Sequence, residues 1–173
     1  MNLPFITILS SRLLGHQPNL FKIVWNASSA RSNSIKKAFG IGDNEIPEEN
    51  DSFMRLSETI EAFFYKIKRL QVITMQLEDE IVSSTCEQLG ARHVDFIARG
   101  FNSNFWDIFL SSTYFHVCMS EAIDETLCGY MSDEGKRAEM ILAWQRMFNM
   151  VVHHMRMGYN EKRKERLKSG NKS

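Results

Sequence analysis

The segment LGARHVDFIARGF, residues 89–101, holds the side chain best placed to do chemistry, His93. Leu89 and His93 stand four residues apart and share one face of a helix. A core or cap histidine is the plainer reading of that placement. The other is a metal ligand projecting from a helix end into an apolar pocket. No second His, Cys or carboxylate follows at a spacing that completes a zinc site. A single protein ligand makes sense where a cofactor supplies the remaining ones.

Other reactive groups give less. Cys86, Cys118 and Cys128 are three in number with no C-x-x-C spacing, against both a disulfide framework and a zinc site. Reduced thiols and a cytoplasmic location are the expectation. The adjacent His153 and His154 point to different sides of their helix and do not make a joint site. No serine, cysteine or carboxylate constellation supports hydrolysis or acyl transfer. No catalytic residue is assigned, and the expectation is a binding protein rather than an enzyme.

The elements that must position His93 are helical. The chain has 173 residues, 43% of them hydrophobic and only three of them proline, enough for one domain with a full core. Lys+Arg and Asp+Glu both total 21, so the domain carries no basic footprint for nucleic acid. No apolar run approaches the roughly 18 residues of a membrane span. The N-terminal LPFITIL lacks the basic flank and cleavage site of a signal peptide.

Apolar residues recur at three- and four-residue steps. One stripe is Phe53, Leu56, Ile60, Phe63/Phe64, Ile67, Leu70, Ile73/Met75, with Asp51 or Ser52 as cap. A second runs from Phe105 to Ile123 behind Asn102 or Ser103. A third is Ile141, Trp144, Met147/Phe148, Val151/Val152 and Met155, with Gly158 as its stop. Pro18 starts a further helix through Leu20, Phe21, Val24 and Trp25. The polar stretch 41–52 reads as a solvated connector. Residues 161–173 form a tail with six Lys/Arg against two Glu. That tail reads as a frayed, solvated end, with contact to an anionic surface as the alternative.

A porphyrin supplies four nitrogens to iron and asks the protein for an axial His and a large apolar pocket. LGARHVDF, GFNSNFWDIF and AWQRMFNMVVHHMRMGY together resemble the second half of a globin of the nematode and neuroglobin-like kind. IKKAFGIGD resembles the corner that carries that family's haem-contacting Phe. The resemblance covers residues 18 to 160 and is tighter in the second half. It implies an all-α globin fold of six to eight helices around a haem pocket, in one domain over 1–160. It implies His93 as the proximal iron ligand, its other ring nitrogen donating to a backbone carbonyl or a Ser/Thr oxygen. Phe39 would stack on the porphyrin. Leu89, Phe96, Phe105, Phe148 and Val152 would line the pocket. SFMRLSETI resembles the distal pattern, with Leu56 at the distal position and Ile60 a turn on. The ligand would be O₂ or another diatomic gas, in oxygen transport, redox or gas sensing. A haem-free globin-fold regulatory module is the alternative.

The departures carry information. No histidine lies between Gln17 and Arg92, so the distal helix cannot supply one. An apolar distal side forgoes a hydrogen bond to bound O₂, worth about 1 kcal/mol. Phe21 or Trp25 stands where a second distal residue belongs, and only the Trp indole could donate. Met54 or Lys66 is a conceivable sixth ligand. The 17 residues before Pro18 lack the Trp usual in the family's first helix, although LPFITILSSRLL could still form a short one.

Overall fold

The computed structural model describes residues 19–74, 79–118 and 134–170. The expected first helix in LPFITILSSRLL, the Pro18 start of the next one, Met75 at the end of the Phe53 stripe and the later part of the Phe105–Ile123 stripe lie outside the described residues. Six α-helices account for most of what is described, with no strand among the described residues: α1 (Leu20–Arg31), α2 (Asn33–Ala38), α3 (Asp51–Thr74), α4 (Glu80–Arg92), α5 (Asn104–Cys118) and α6 (Glu134–Gly170). Two 3₁₀ turns join them, Pro47–Glu49 and His93–Arg99.

Local chemistry sets the helix ends. The Asn50 carboxamide oxygen accepts from the Phe53 N–H at 3.0 Å, so Asn50 caps a helix that begins at Asp51, one position ahead of the two caps expected. The Asp79 carboxylate accepts from Ile81 N–H at 2.7 Å and starts α4. Asn102 accepts from Asn104 N–H at 3.0 Å and starts α5, one of the two caps expected there. Behind His93 the 3₁₀ turn closes on Gly100 at φ +92°, a left-handed position that suits glycine.

Each helix buries one stripe. On α3 it is Phe53, Ser57, Phe64, Ile67 and Gln71; on α4 it is Val82, Cys86 and Gly90. These join Leu20, Phe21, Val24, Trp25, Trp106, Phe109, Phe148 and Val151 in one contiguous core. Fully buried rings such as Phe53 and Phe148 each contribute about 3 kcal/mol. Two buried hydroxyls are satisfied within their own helices: Ser28 donates to the Val24 carbonyl at 2.7 Å and Thr113 to that of Phe109 at 2.8 Å.

The tightest packing is α4 against α6. A Cβ on Gly90 would lie 1.8 Å from the Met155 carbonyl oxygen, and one on Gly158 would lie 2.0 Å from that of Glu87. Two glycines thus let two helix backbones touch. Gly158 is therefore no helix stop. The α6 helix runs through it to Gly170, because the missing side chain serves the crossing rather than a terminus. The basic segment 161–170 is exposed yet helical, so the expected fraying is corrected. Lys162 pairs with Glu165 at 3.0 Å, and Arg166 reaches back to Asp95 in the turn behind His93. No helix among the described residues is long and apolar enough to cross a membrane.

Candidate functional site

His93 sits where α4 ends and the 3₁₀ turn begins. Its Nδ1 is 2.8 Å from the Leu89 carbonyl oxygen. A carbonyl can only accept, so Nδ1 carries the proton and the neutral ring presents its lone pair at Nε2. Burial lowers the pKa of the ring; the Leu89 hydrogen bond pulls it up and nearby Arg92 lowers it further. The net direction is down, which favours the neutral, ligating form.

Three aromatic walls enclose the ring. Phe101, Trp106 and Phe96 have centroids at 4.9, 5.3 and 5.9 Å from it. Phe101 in turn meets Phe105 and Tyr159. Phe96 was expected from the sequence as a pocket residue, and it does meet His93, although it is also 41% exposed. Phe101, Trp106 and Tyr159 were not expected. The His/Gly/Phe/Trp order in HVDFIARGFNSNFW gives a local hint of the first two. Nothing in the sequence ties Tyr159 to a residue 66 positions earlier.

Among the described residues the ring contacts form three networks of three or more rings, besides the separate pairs Phe115–His116 and His153–His154. The first surrounds His93. The second joins Phe39 to Phe53 and Trp25, at 5.6 and 5.8 Å. The third holds Phe148 against Phe64 at 4.7 Å and Trp144 at 5.3 Å. Phe39, Leu56, Ile60, Leu89 and Phe105 are only partly buried, packed on the edge of the core. Phe148 and Val152 lie inside the core, closed in by other side chains. By burial the expected pocket residues split into a partly covered set and a closed pair on α6, and the ring contacts keep Phe39 and Phe148 apart from His93.

Trp25 is not a free donor. Its Nε1–H donates to the Phe53 carbonyl at 3.0 Å, tying α1 to α3. Leu56 lies on the same helix as that carbonyl, one turn on. Neither it nor Ile60 offers a hydrogen-bond donor. A buried indole donor does remain elsewhere: Trp144 Nε1–H has no acceptor among the described residues.

A polar cluster lies earlier along α4. His154, buried in the α4–α6 crossing, has Nδ1 3.0 Å from Glu87 Oε1 and Nε2 3.2 Å from Ser83 Oγ. His153, its neighbour, is exposed. The order Ser–His–Glu matches a nucleophile, a base and an orienting carboxylate. Acyl transfer also needs donors for an oxyanion. The Ser83 N–H is spent on the Asp79 carbonyl at 2.8 Å, and the amides that follow lie within α4. The trio therefore works as a tie between helices. The groove beside it, about 260 Å³ and lined by Glu87, Gln88, Ala91, Gly158, Glu161, Lys162 and Glu165, does not include His93.

No group of three or more metal-ligating side chains occurs among the described residues. Cys86 is buried, and burial foremost, with Glu87 adding to it, pushes its thiol up to about 12, leaving it unreactive at neutral pH. Comparisons with family models, with curated proteins and with solved structures return no match for this chain.

Proposed function

We propose that the chain is a cytoplasmic globin that binds haem through His93 Nε2 and a diatomic gas at the iron. The observation that supports this best is the His93 geometry. The Leu89 carbonyl fixes the Nδ1–H tautomer, the ring is held neutral, and aromatic walls fix its plane. A second-contact partner of this kind raises the basicity of a ligating imidazole. The fit extends to the apolar side chains. A porphyrin needs apolar contacts from several helices, and Phe39, Leu56, Ile60, Leu89 and Phe105 are apolar side chains left half-covered by the core.

When bound, the haem supplies the iron and its gas chemistry. The chain holds it by His93, excludes water with apolar side chains, and sets the polarity beside the gas. No distal His exists, and the Trp25 N–H is already committed. Bound O₂ then lacks its usual donor, and this favours redox or sensing use over bulk oxygen storage or transport.

One observation favours the alternative, a haem-free regulatory module. Phe148 is 0% exposed, its ring covered by side chains of the core, Phe64 and Trp144 among them. A visible absorption spectrum of the purified chain with added haem separates the two readings. A stoichiometric Soret band that is lost or altered in His93→Ala supports the globin. No uptake, or a band indifferent to that change, leaves the haem-free module.

A further inference from the structure

The Ser83–His154–Glu87 trio sits on the helix that ends in His93, and it has no part in the gas chemistry. On α4, Ser83, Glu87 and Gly90 share the face turned toward α6. At roughly 100° per residue, His93 lies about a quarter-turn round the helix from them. Rotation or sliding of α4 on α6 would therefore swing the imidazole directly. Three contacts oppose this. The Gly90–Met155 and Gly158–Glu87 backbones touch, so α4 cannot move closer. Tyr159 abuts Phe101 and Trp106, two of the rings against His93. His154 grips Ser83 and Glu87, one turn apart, by opposite edges of one ring.

The buried apolar side chains of the two helices include Val82 and Cys86 from α4, Val151 and Met155 from α6. Apolar contacts tolerate sliding, whereas a part-buried, two-point polar contact is satisfied in one register. We propose that His154 is a positioning residue for His93: through Glu87 and Ser83 it fixes the rotation of α4 on α6 and thereby the direction in which Nε2 meets iron. The proposal rests on the haem reading given above and adds what sets the proximal bond.

The test is resonance Raman spectroscopy of the ferrous, haem-loaded full chain, which reads the iron–histidine stretching band. Glu87→Ala and Ser83→Ala each remove one grip, and Glu87 is half-exposed, so its loss leaves the core intact. Both are expected to shift or broaden the band. Glu87→Gln keeps an oxygen acceptor for His154 Nδ1–H and is expected to restore the wild-type band. His153→Gln, on the exposed side of the same helix, is expected to leave it unchanged. His154→Gln should shift it most. A band that stays at its wild-type position in both Glu87→Ala and Ser83→Ala overturns the positioning role and leaves the haem reading standing. A wild type that takes up no haem overturns both.

Discussion

The Gly158→Ala substitution tests the helix crossing on which the site depends. In an ordinary helix interior this change stabilises, since Ala is favoured over Gly by about 1 kcal/mol. At position 158 the new methyl would lie 2.0 Å from the Glu87 carbonyl oxygen, and ordinary contact begins at 3.4 Å. The obstructing atoms are backbone, so relief requires α4 to back away by about 1.4 Å, the difference between those distances. Overpacking of this kind costs roughly 1–3 kcal/mol, and a backbone obstacle puts it at the upper end. The shift would also stretch the 3.0 Å His154–Glu87 contact beyond hydrogen-bond range. Against the propensity gain, a net loss of about 2 kcal/mol remains, or roughly 4–8 °C in Tm for a chain of this size. Urea and thermal unfolding of the haem-free protein read it without reference to any ligand. Gly90→Ala, facing Met155 at 1.8 Å, should cost at least as much. A Gly158→Ala protein more stable than wild type would refute the crossing, because that sign belongs to a helix whose glycine faces nothing.

Two further outcomes are expected. The folded His93 ring has a pKa below its ordinary value of 6.5, chiefly through burial. The unfolded chain then takes up the proton first, so the haem-free protein keeps this stability above pH 6.5 and loses it as pH falls through that value toward the lowered one. Urea melts at pH 7.5 and 5.5 should show a steeper loss in wild type than in His93→Phe, and equal losses would show that the ring is not desolvated. Trp25→Phe keeps the stacking on Phe53 and removes one hydrogen bond, at a cost of about 1 kcal/mol in stability. It should leave the gas dissociation rate of the haem-loaded protein nearly unchanged; a large acceleration would mean that the indole turns from Phe53 toward the ligand.

Helix positions and buried stripes were legible because they follow from local periodicity. The α3 stripe from Phe53 to Ile67 and the cap at Asn102 stand as expected, and α4 ends at His93. Gly158 was misread because two different physical needs share one local signal. A glycine after an apolar stripe suits both a left-handed terminus and a close backbone crossing, and only the partner helix tells them apart. The same limit hid the polar trio. Ser83 and Glu87 lie 71 and 67 residues from His154, so neither spacing nor motif brings them together. Trp25 shows a third case: an indole N–H reads as an available donor until the carbonyl that takes it is located.

The two sides of the proposed pocket are built from different forces. On the His93 side the backbones of α4 and α6 touch, His154 makes two polar contacts, and three rings confine the imidazole. On the Leu56 side the core contacts are apolar, and the Trp25 indole donor is spent. Dispersion contacts are shallow and non-directional, so they accommodate ligands of differing shape with little preference. A missing donor worth about 1 kcal/mol changes ligand release by roughly fivefold. Discrimination between gases would then be weak at the distal side. Under the haem reading proposed above, changes in affinity would come chiefly from whatever alters the set of α4 against α6, because that crossing carries the contacts that hold His93.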